Sequence, residues 1–404
     1  MKYLPKTILA SLIVLLISCD VDQNQDETSH FAQENIKWPS LADTPWPIYN
    51  HDVQNTNRSQ FAGPEATPSI VADVSFNKLL KASFTVDDAD NLFLTAASGV
   101  YSVSTAFLDT TLLFQMPVVS YNYSTPIYTD DLALISINWE GELVKYTTGT
   151  NEFNYSVQLG DNSWINPIID LNGNVLVAGM NMLFKVDGSG TTVWEQDYVE
   201  LNSGALSPDG DIAYFSDNTT IYGIDVESGN ELNTYSADYV FYPTISNDGD
   251  LFFNDISDNS VTCLDPSLNM KWKYNYGSSA GYDLAWDSGT LDYDGNYYTT
   301  GGSENEDELL SFDYEGELRW RTSLIHDQRA ALLSDINNNI YVCGLHFSDG
   351  NETSYISSIN STGNLLWSIE LPTLHSYEQP MLLSDGRIVI PAMRYRGRNL
   401  LILE

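Results

Sequence analysis

Positive charge is scarce in this sequence. Its 404 residues include 17 lysine and arginine residues against 55 aspartate and glutamate residues, which gives a formal net charge of −38. A polyanion of this kind is repelled by phosphate backbones, so the composition argues against nucleic-acid binding. Hydrophobic residues make up 43% of the chain and aromatic residues 12%. That content is sufficient for a substantial core and argues against a wholly disordered chain.

Cysteine is also scarce, with three residues in the chain. Cys263 and Cys343 lie inside strand-like runs and are far apart in sequence, which indicates thiols of the core. No two cysteines are adjacent and none has CxxC spacing, so the sequence predicts neither a disulfide framework nor a cysteine metal site. The third cysteine, Cys19, has a different context.

Long hydrophobic runs are missing, and the N-terminal run of residues 8–17 is too short for a membrane span of about 20 residues. Lys2 and Lys6 precede this run and Ser18 and Cys19 follow it, an arrangement typical of a secretory signal peptide. Because the cysteine stands where cleavage is expected, residues 16–19 resemble a bacterial lipobox and predict lipidation of Cys19. An ordinary signal peptide with an incidental cysteine is the alternative.

These features predict a lipoprotein signal peptide over residues 1–18, a flexible tether from lipidated Cys19 over residues 19–45, and a folded domain over residues 46–404. The polar composition after Cys19 is typical of a disordered linker. We therefore expect a membrane-anchored lipoprotein of a bacterial cell envelope. The outer membrane is favoured, and the domain faces either the periplasm or the cell surface.

The folded domain is built from a sequence repeat of about 40 residues, the period of a four-stranded propeller blade. Each unit reads as strand, Asp-rich turn, strand, turn, strand, Asp-x-x-Gly turn and aromatic strand. Asp, Asn and Gly recur in the turns because hairpins need residues that tolerate positive φ or bond their own backbone. The fourth strands carry a marker residue at matching places, which is Phe114, Phe153, Trp194, Asn233, Trp272, Trp320 or Trp367.

The two ends of the repeat complete each other. The last unit, residues 380–404, has three strands and stops before its fourth, whereas residues 69–76 read as a fourth strand without a preceding three. Joining them closes the ring and leaves no open edge. The sequence therefore predicts an all-β fold, an eight-bladed β-propeller of four-stranded antiparallel blades, closed by pairing an N-terminal strand with the C-terminal blade.

Two features resemble the pyrroloquinoline-quinone (PQQ)-like β-propeller repeat family. They are the Asp-x-x-Gly-x-x-x-Trp ends of the blades and the opening segment WPIYNHD with QNTNRS, residues 46–59. The resemblance covers residues 46–404 and implies the propeller fold. The layout of lipobox and eight blades is also similar to that of lipoprotein scaffolds for outer-membrane protein assembly, which implies a protein partner in the cell envelope.

The same resemblance raises the question of a PQQ-dependent dehydrogenase. The alcohol-dehydrogenase branch of that family has an adjacent cysteine pair, which is missing here, and no cofactor-binding set matches residue by residue. The GxSxG signature of serine hydrolases is absent too. We therefore expect no enzyme activity, no cofactor and no metal. The DYDGN run at Asp292 begins like a calcium loop but lacks the distal glutamate, so a structural turn is favoured.

Alternating strand directions place the second-to-third-strand loops and the blade connections on one face, which we call the loop face. We place the extra length of blades 6 and 7 in their second-to-third-strand loops, residues 304–308 and 346–351. Candidate partner-binding residues collect on this face, and they are His326, Arg329, His346, His375, Tyr377, Arg394, Arg396 and Arg398.

Each part of this set has an alternative explanation. The histidines can be a chance accumulation of polar residues in loops. Alternation along one strand puts the three arginines on one side, where guanidinium groups suit carboxylates or phosphates. Neutralisation of the protein's own acidic surface is the other explanation for the arginines.

The leading hypothesis is a non-catalytic, membrane-anchored scaffold that binds a partner protein on the loop face, in outer-membrane protein assembly. The second is a surface or periplasmic receptor for a glycan or small molecule, in which Trp139, Trp164 and Trp286 stack on sugar rings. A PQQ-dependent dehydrogenase is the third.

Overall fold

The structure is a computed structural model. It describes residues 31–404 apart from short gaps, which are residues 77–82, 97–98, 107, 117–123, 151, 164, 203, 238–239, 241, 256–257, 277–288, 304–305, 326, 329, 349–350, 373–375, 378 and 395–396. The described residues form eight antiparallel sheets and contain no α-helix. Within them no helix is long and apolar enough to span a membrane.

Blades 1 to 4 are simple meanders in which each strand pairs with the next one in sequence. Their strands are β2 (Phe84–Val86), β3 (Leu92–Ala96), β4 (Gly99–Val103) and β5 (Thr110–Gln115); β6 (Ile127–Tyr128), β7 (Ala133–Ile137), β8 (Glu142–Thr147) and β9 (Glu152–Gln158); β10 (Ile168–Ile169), β11 (Val175–Ala178), β12 (Met182–Val186) and β13 (Thr192–Asp197); β14 (Ala205–Leu206), β15 (Ile212–Ser216), β16 (Thr220–Asp225) and β17 (Glu231–Ser236).

Blades 5 and 6 repeat the meander, and blades 7 and 8 each gain a short fifth strand. Their strands are β18 (Thr244–Ile245), β19 (Leu251–Asp255), β20 (Ser260–Leu264) and β21 (Met270–Asn275); β22 (Thr290–Leu291), β23 (Tyr297–Ser303), β24 (Glu306–Phe312) and β25 (Leu318–Ser323); β26 (Asp327–Gln328), β27 (Leu333–Ser334), β28 (Ile340–Ser348), β29 (Asn351–Ile359) and β30 (Leu365–Leu371); β31 (Ser376–Tyr377), β32 (Met381–Leu382), β33 (Ile388–Arg394), β34 (Gly397–Leu403) and β1 (Ile70–Phe76).

The predicted closure of the ring is confirmed. Strand β1 is the outer strand of blade 8 and pairs antiparallel with β34, with Ala72 opposite Ile402 and Val74 opposite Leu400. The eight-bladed, all-β fold predicted from the repeat is likewise what the structure has.

The Asp-rich first turns have a common hydrogen-bond pattern. In blade 3, Asp170 Oδ1 accepts the backbone N–H groups of Asn172 at 2.9 Å and Asn174 at 2.8 Å, while Oδ2 accepts from the Asn174 amide at 2.8 Å. Gly173 follows at φ +81°, a left-handed conformation that glycine adopts without steric cost. The aspartate therefore recurs because its side chain satisfies the turn's own donors.

A second repeated device lies on the outer strands. In all eight blades the pairing of the third and fourth strands shifts by one residue, a β-bulge. The marker residue follows the bulge directly, as Trp194 does in blade 3. In blade 2 this position belongs to Tyr155, which pairs with Lys145, whereas Phe153 is 46% exposed. The sequence-based choice of Phe153 as the marker is therefore wrong.

The marker tryptophans of blades 3, 5, 6 and 7 donate hydrogen bonds to residues beyond their own blades. Trp320 donates its indole N–H to Ser361 O at 2.9 Å, and its ring lies against Gly363 in the third turn of blade 7. A Cβ on Gly363 would come within 2.8 Å of the Trp320 ring, and φ is +83° there, so the position requires glycine. The glycine of the third turn and the marker tryptophan are thus the two halves of one contact between blades.

The predicted flexible tether ends earlier than residue 45. Residues 31–45, which we call the strap, lie across the ends of the innermost strands. The Trp38 indole donates to Ile169 O at 2.9 Å, Ser40 Oγ donates to Asp170 O at 2.6 Å, and Phe31 stacks on Tyr314 at 4.4 Å between ring centroids. Apolar side chains that find a surface to cover become ordered, and the packed part of the chain therefore begins before residue 46.

Candidate functional site

Three consecutive blades extend beyond the others on the loop face. The second and third strands of blades 6, 7 and 8 are seven to nine residues long, against four to six residues in blades 1 to 5. The short strands β26 and β31 pair with the protruding ends of β28 and β33 and widen the sheets there. We call the protruding ends of β23–β24, β28–β29 and β33–β34 the hairpin ridge.

The ridge corrects two sequence-based expectations. The extra residues of blades 6 and 7 extend the strands themselves, since Glu306 belongs to β24 and His346 to β28, where loops were expected. Arg394 and Arg398 do not share one strand, because β33 ends at Arg394 and β34 begins at Gly397. Arg394 pairs with Gly397, and Arg398 pairs with Met393, the residue before Arg394. Because successive residues of a strand lie on opposite faces of the sheet, the Arg394 and Arg398 positions are on opposite faces of the hairpin.

The predicted partner-binding residues divide into two groups. Tyr377, Arg394 and Arg398 belong to strands of blade 8, and His346 lies in β28 with an exposed side chain and its ring 6.4 Å from that of Tyr355. The other four candidates, which are His326, Arg329, His375 and Arg396, lie outside the described residues, as does the predicted lipidation site Cys19. The structure therefore brings four of the eight predicted contact positions onto two adjacent blades.

The tryptophans of the glycan hypothesis are not brought together. Trp164 and Trp286 lie outside the described residues, and Trp139 is half-buried in the second-to-third-strand turn of blade 2. A platform of aromatic rings for sugar stacking is therefore not seen in the part of the loop face that the structure describes.

The axis of the propeller holds a site that the sequence did not predict. Residues 46–60, which we call the axial segment, run round the axis in the order of the blades. Their backbone carbonyls accept N–H groups from the last residue of an innermost strand in six blades, and the pairs are Trp46 with Val86, Pro47 with Tyr128, Val53 with Leu206, Gln54 with Ile245, Thr56 with Leu291 and Asn57 with Ser334. The segment therefore closes the channel on the face of the Asp-rich turns.

Arg58 fixes the axial segment to the strap. Its side chain is fully buried and its guanidinium lies 4.9 Å from the Tyr293 ring. The guanidinium donates to four acceptors, which are Glu34 O (2.8 Å), Asn35 Oδ1 (3.1 Å), Leu291 O (3.1 Å) and Asp292 O (3.4 Å). One side chain therefore joins the strap, the axial segment and blade 6.

A histidine–aspartate pair lies in the turn of the axial segment. His51 Nδ1 is 3.3 Å from Asp52 Oδ2, and Asp52 Oδ1 accepts the backbone N–H groups of Gln54 and Thr56, both at 3.0 Å. The Thr56 hydroxyl donates to Asp52 Oδ2 as well. Burial raises the pKa of Asp52, but the hydrogen bonds and the charge interaction with His51 outweigh it and hold the pKa below its ordinary value.

His51 and Asp52 line a cavity of about 120 Å³ between the strap and the axial segment. Asn50 and His51 adopt left-handed backbone conformations, with φ of 60° and 77°. Such conformations are uncommon for residues other than glycine and persist where the surrounding structure enforces them. We call this cavity the axial cleft.

The axial cleft does not contain the parts of a hydrolase triad. The Thr56 hydroxyl donates to Asp52 and is not placed between the imidazole and a substrate position. No cluster of three or more His, Cys, Asp or Glu side chains suited to a metal ion occurs in the described part of the chain. What the cleft offers is hydrogen bonding.

The DYDGN turn has the structural role that the sequence favoured. Asp292 Oδ1 accepts the backbone N–H groups of Asp294 and Asn296, at 3.0 and 2.8 Å, and Oδ2 accepts from the Asn296 amide and the Tyr298 hydroxyl. Burial raises the pKa of Asp292. Both oxygens of the carboxyl group are thus used within the turn and its own blade.

The sequence analysis does not predict the strap or the axial cleft, because it treats residues 19–45 as one polar segment. Phe31, Ile36, Trp38 and Leu41 form a sparse apolar pattern there, and such residues are uncommon in flexible linkers. That pattern was the available signal. The polar residues of the axial segment had been noted as a family marker without a structural role.

Comparison with known proteins agrees with the fold. The solved structure of BamB from Moraxella catarrhalis has a TM-score of 0.59 and 13% identity, and covers 84% of this chain and 100% of its own. A europium-containing methanol dehydrogenase has a TM-score of 0.67 and 11% identity over 89% of this chain and 98% of its own. The quinohemoprotein alcohol dehydrogenase of Comamonas testosteroni has a TM-score of 0.66 and 11% identity over 91% and 81%.

At these identities the solved structures show a shared fold and nothing further. The comparison with curated proteins gives no sequence match. A family model described as outer membrane protein assembly factor BamB matches residues 179–390, a little over half of the chain. The chain therefore belongs to this BamB family of PQQ-like β-propellers.

Proposed function

We propose that the protein is a non-catalytic, membrane-anchored β-propeller lipoprotein that serves as a protein-binding scaffold in outer-membrane protein assembly. The observation that carries this proposal is the hairpin ridge, three consecutive blades that protrude on one face of an otherwise regular ring. The family description, outer membrane protein assembly factor, supports the same class of role. Rigid strands that protrude from a closed scaffold suit the binding of another protein.

The anchor in this proposal is a lipid on Cys19, which tethers the propeller to the outer membrane. Twelve residues after Cys19 the chain reaches the strap at Phe31, on the face of the Asp-rich turns. The hairpin ridge is on the opposite face.

The proposal that the protein is non-catalytic is supported by the way its described lysine and arginine side chains are paired. Each of the nine described lysine and arginine side chains already has an ion-pair or hydrogen-bond partner. PQQ is a polycarboxylate and needs unpaired cationic groups, so the described residues do not fit this cofactor. The amides of Asn55 and Asn57 in the axial segment donate to carbonyls of the blades, so these two side chains are also paired within the protein.

The arginines of blade 8 test the docking role. With the combined substitution Arg394→Glu, Arg396→Glu and Arg398→Glu, we expect capture of the envelope partner from crosslinked membranes to be lost while the thermal unfolding midpoint is retained. The matched control replaces Arg321, a half-exposed arginine of the outer strand of blade 6, by glutamate. If the triple variant captured the envelope partner as fully as the natural protein does, these arginines would not be part of the interface.

A further inference from the structure

The outer strand of each blade is the edge of its sheet, and natural sheets limit pairing at such an edge by placing charged side chains on it. Seven of the eight outer strands contain at least one charged residue, and they are β1, β9, β13, β17, β21, β25 and β30. Strand β5 of blade 1, with the sequence TTLLFQ, contains none. Its edge therefore lacks the protection that the other seven have.

Strand β5 is also accessible. Among the described strands it pairs with β4 alone. The side chains of Thr110, Thr111, Leu112 and Gln115 are exposed. Its six residues are an ordinary length for a strand, so another strand of similar length can pair with it.

An apolar groove lies beside this edge, between the outer strands of blades 1 and 2. Its volume is about 560 Å³. Leu112 of β5 and Phe153 of β9 contribute to it and are 47% and 46% exposed. We call this space the seam groove. The described residues that line it carry no charge, and they are Thr111, Leu112, Leu113, Phe114, Gln115, Tyr146 and Phe153.

The seam groove is open because a smaller residue stands where other blades have tryptophan. Between blades 6 and 7 the indole of Trp320 fills the seam and donates to Ser361 O at 2.9 Å. The residue that follows the bulge in blade 1 is Phe114, which is smaller and has no N–H group to donate. Phe114 is buried, with its ring centroid 4.4 Å from that of Tyr146 and 5.4 Å from that of Phe153. The base of the seam is thus packed, and the exposed sides of Leu112 and Phe153 remain uncovered.

Acidic side chains stand at one end of the seam groove. Asp109 directly precedes β5 and Glu152 begins β9, and both are exposed. The net charge of the chain is −38. These charges favour a partner with basic residues and oppose the approach of a second copy of this chain.

We propose that β5 and the seam groove bind an extended strand of another protein, one with apolar side chains at alternate positions and basic residues at its ends. Backbone pairing with the edge of β5 gives affinity, and alternate side chains that enter the seam groove give specificity. The site belongs to blades 1 and 2 and the hairpin ridge to blades 6 to 8, so this binding does not depend on docking at the ridge.

Fluorescence anisotropy with two labelled peptides tests the proposal on the intact protein. The probe KVTWTVK alternates apolar and polar residues, whereas the control peptide KTVWVTK has the same composition and charge but places its apolar residues side by side. We expect KVTWTVK to bind at least about fivefold more tightly than the control peptide.

Leu112→Lys gives β5 the kind of charge that protects the other edges. It should weaken binding of KVTWTVK about tenfold, because it removes an apolar contact and repels the lysines of the peptide. Met270→Lys is the matched control, since Met270 is 57% exposed and pairs directly before the bulge of blade 5, as Leu112 does in blade 1. Binding to this control should stay within about twofold of the natural protein. Phe153→Ala changes the seam groove without touching β5, so it should weaken binding even if Leu112→Lys is unstable.

Three results would overturn the proposal. The first is that KVTWTVK does not bind, or binds no more tightly than KTVWVTK. The second is equal weakening by Leu112→Lys and Met270→Lys, which would place the binding elsewhere. The third is a dimer of the natural protein in sedimentation velocity that Leu112→Lys dissociates, which would show that the edge of β5 pairs with a second copy of this chain.

Discussion

Replacing Arg58 by methionine should lower the free energy of unfolding by about 3–5 kcal/mol, because several buried acceptors lose their donor at once and each unsatisfied group costs about 1–3 kcal/mol. The guanidinium is fully buried and donates to Glu34, Asn35 and two carbonyls of blade 6. Methionine has similar length and no donors, so packing is largely kept while those acceptors lose their partner. Because Arg58 joins the strap to the axial segment, the substitution should also increase amide hydrogen exchange in residues 31–60.

Urea unfolding followed by tryptophan fluorescence measures the loss, and the slope with denaturant should stay constant if only stability changes. Arg321→Met is the matched control, because it removes the same charge from a chain of net charge −38. The Arg321 side chain is 41% exposed and pairs with Glu308 at 3.1 Å, so its loss should cost less than about 1 kcal/mol. Equal destabilisation by the two substitutions would show that net charge, and not the buried network, is responsible.

Three further predictions concern the blade contacts and the axial pair. Trp320→Ala should destabilise the protein by about 3–5 kcal/mol in the same unfolding assay, because the ring packs on blade 7 and donates to Ser361. Gly363→Ala should cost about 2 kcal/mol because φ is +83° and the new Cβ meets the Trp320 ring, whereas Gly188→Ala, with open space around it, should stay within about 0.5 kcal/mol. The pKa of Asp52 in the folded protein is below its ordinary value of 3.8. As the pH falls below 3.8, the unfolded state therefore takes up more protons than the folded state. The stability that Asp52 contributes is lost as the pH falls through its folded pKa. Below about pH 4 the free energy of unfolding should therefore fall less steeply with pH in Asp52→Asn than in the natural protein. The same pH dependence in both proteins would contradict this.

The fold could be predicted from the sequence because its repeated contacts use residues with few substitutes. An aspartate that binds the N–H groups of its own first turn, as Asp170 does, leaves a recognisable mark in blades 1, 3, 6 and 7. The pairing of Trp320 with Gly363 explains why tryptophan and glycine recur at a fixed spacing. Where tyrosine takes the place of the tryptophan, as Tyr155 does in blade 2, the sequence register is misassigned by two residues, since the bulge that sets it has no sequence signature.

The candidate sites were less accessible to sequence reasoning for two physical reasons. Whether extra residues form loops or longer strands depends on cross-strand pairing, which the length of blade 7 alone does not determine. The axial cleft is formed by contacts between residues far apart in sequence, such as Trp38 with Ile169 and Arg58 with Leu291. Composition is a local property and does not report on these contacts.

Site-specific photocrosslinking in living cells tests the docking role most directly. A photoreactive amino acid at His346, on the hairpin ridge, is compared with one at Asn172, which is exposed in the first turn of blade 3 on the opposite face. We predict a covalent adduct between the His346 position and a component of the outer-membrane protein assembly machinery, identified by mass spectrometry, with no such adduct from Asn172. Absence of that adduct at His346, or the same adduct from both positions, would contradict docking at the ridge.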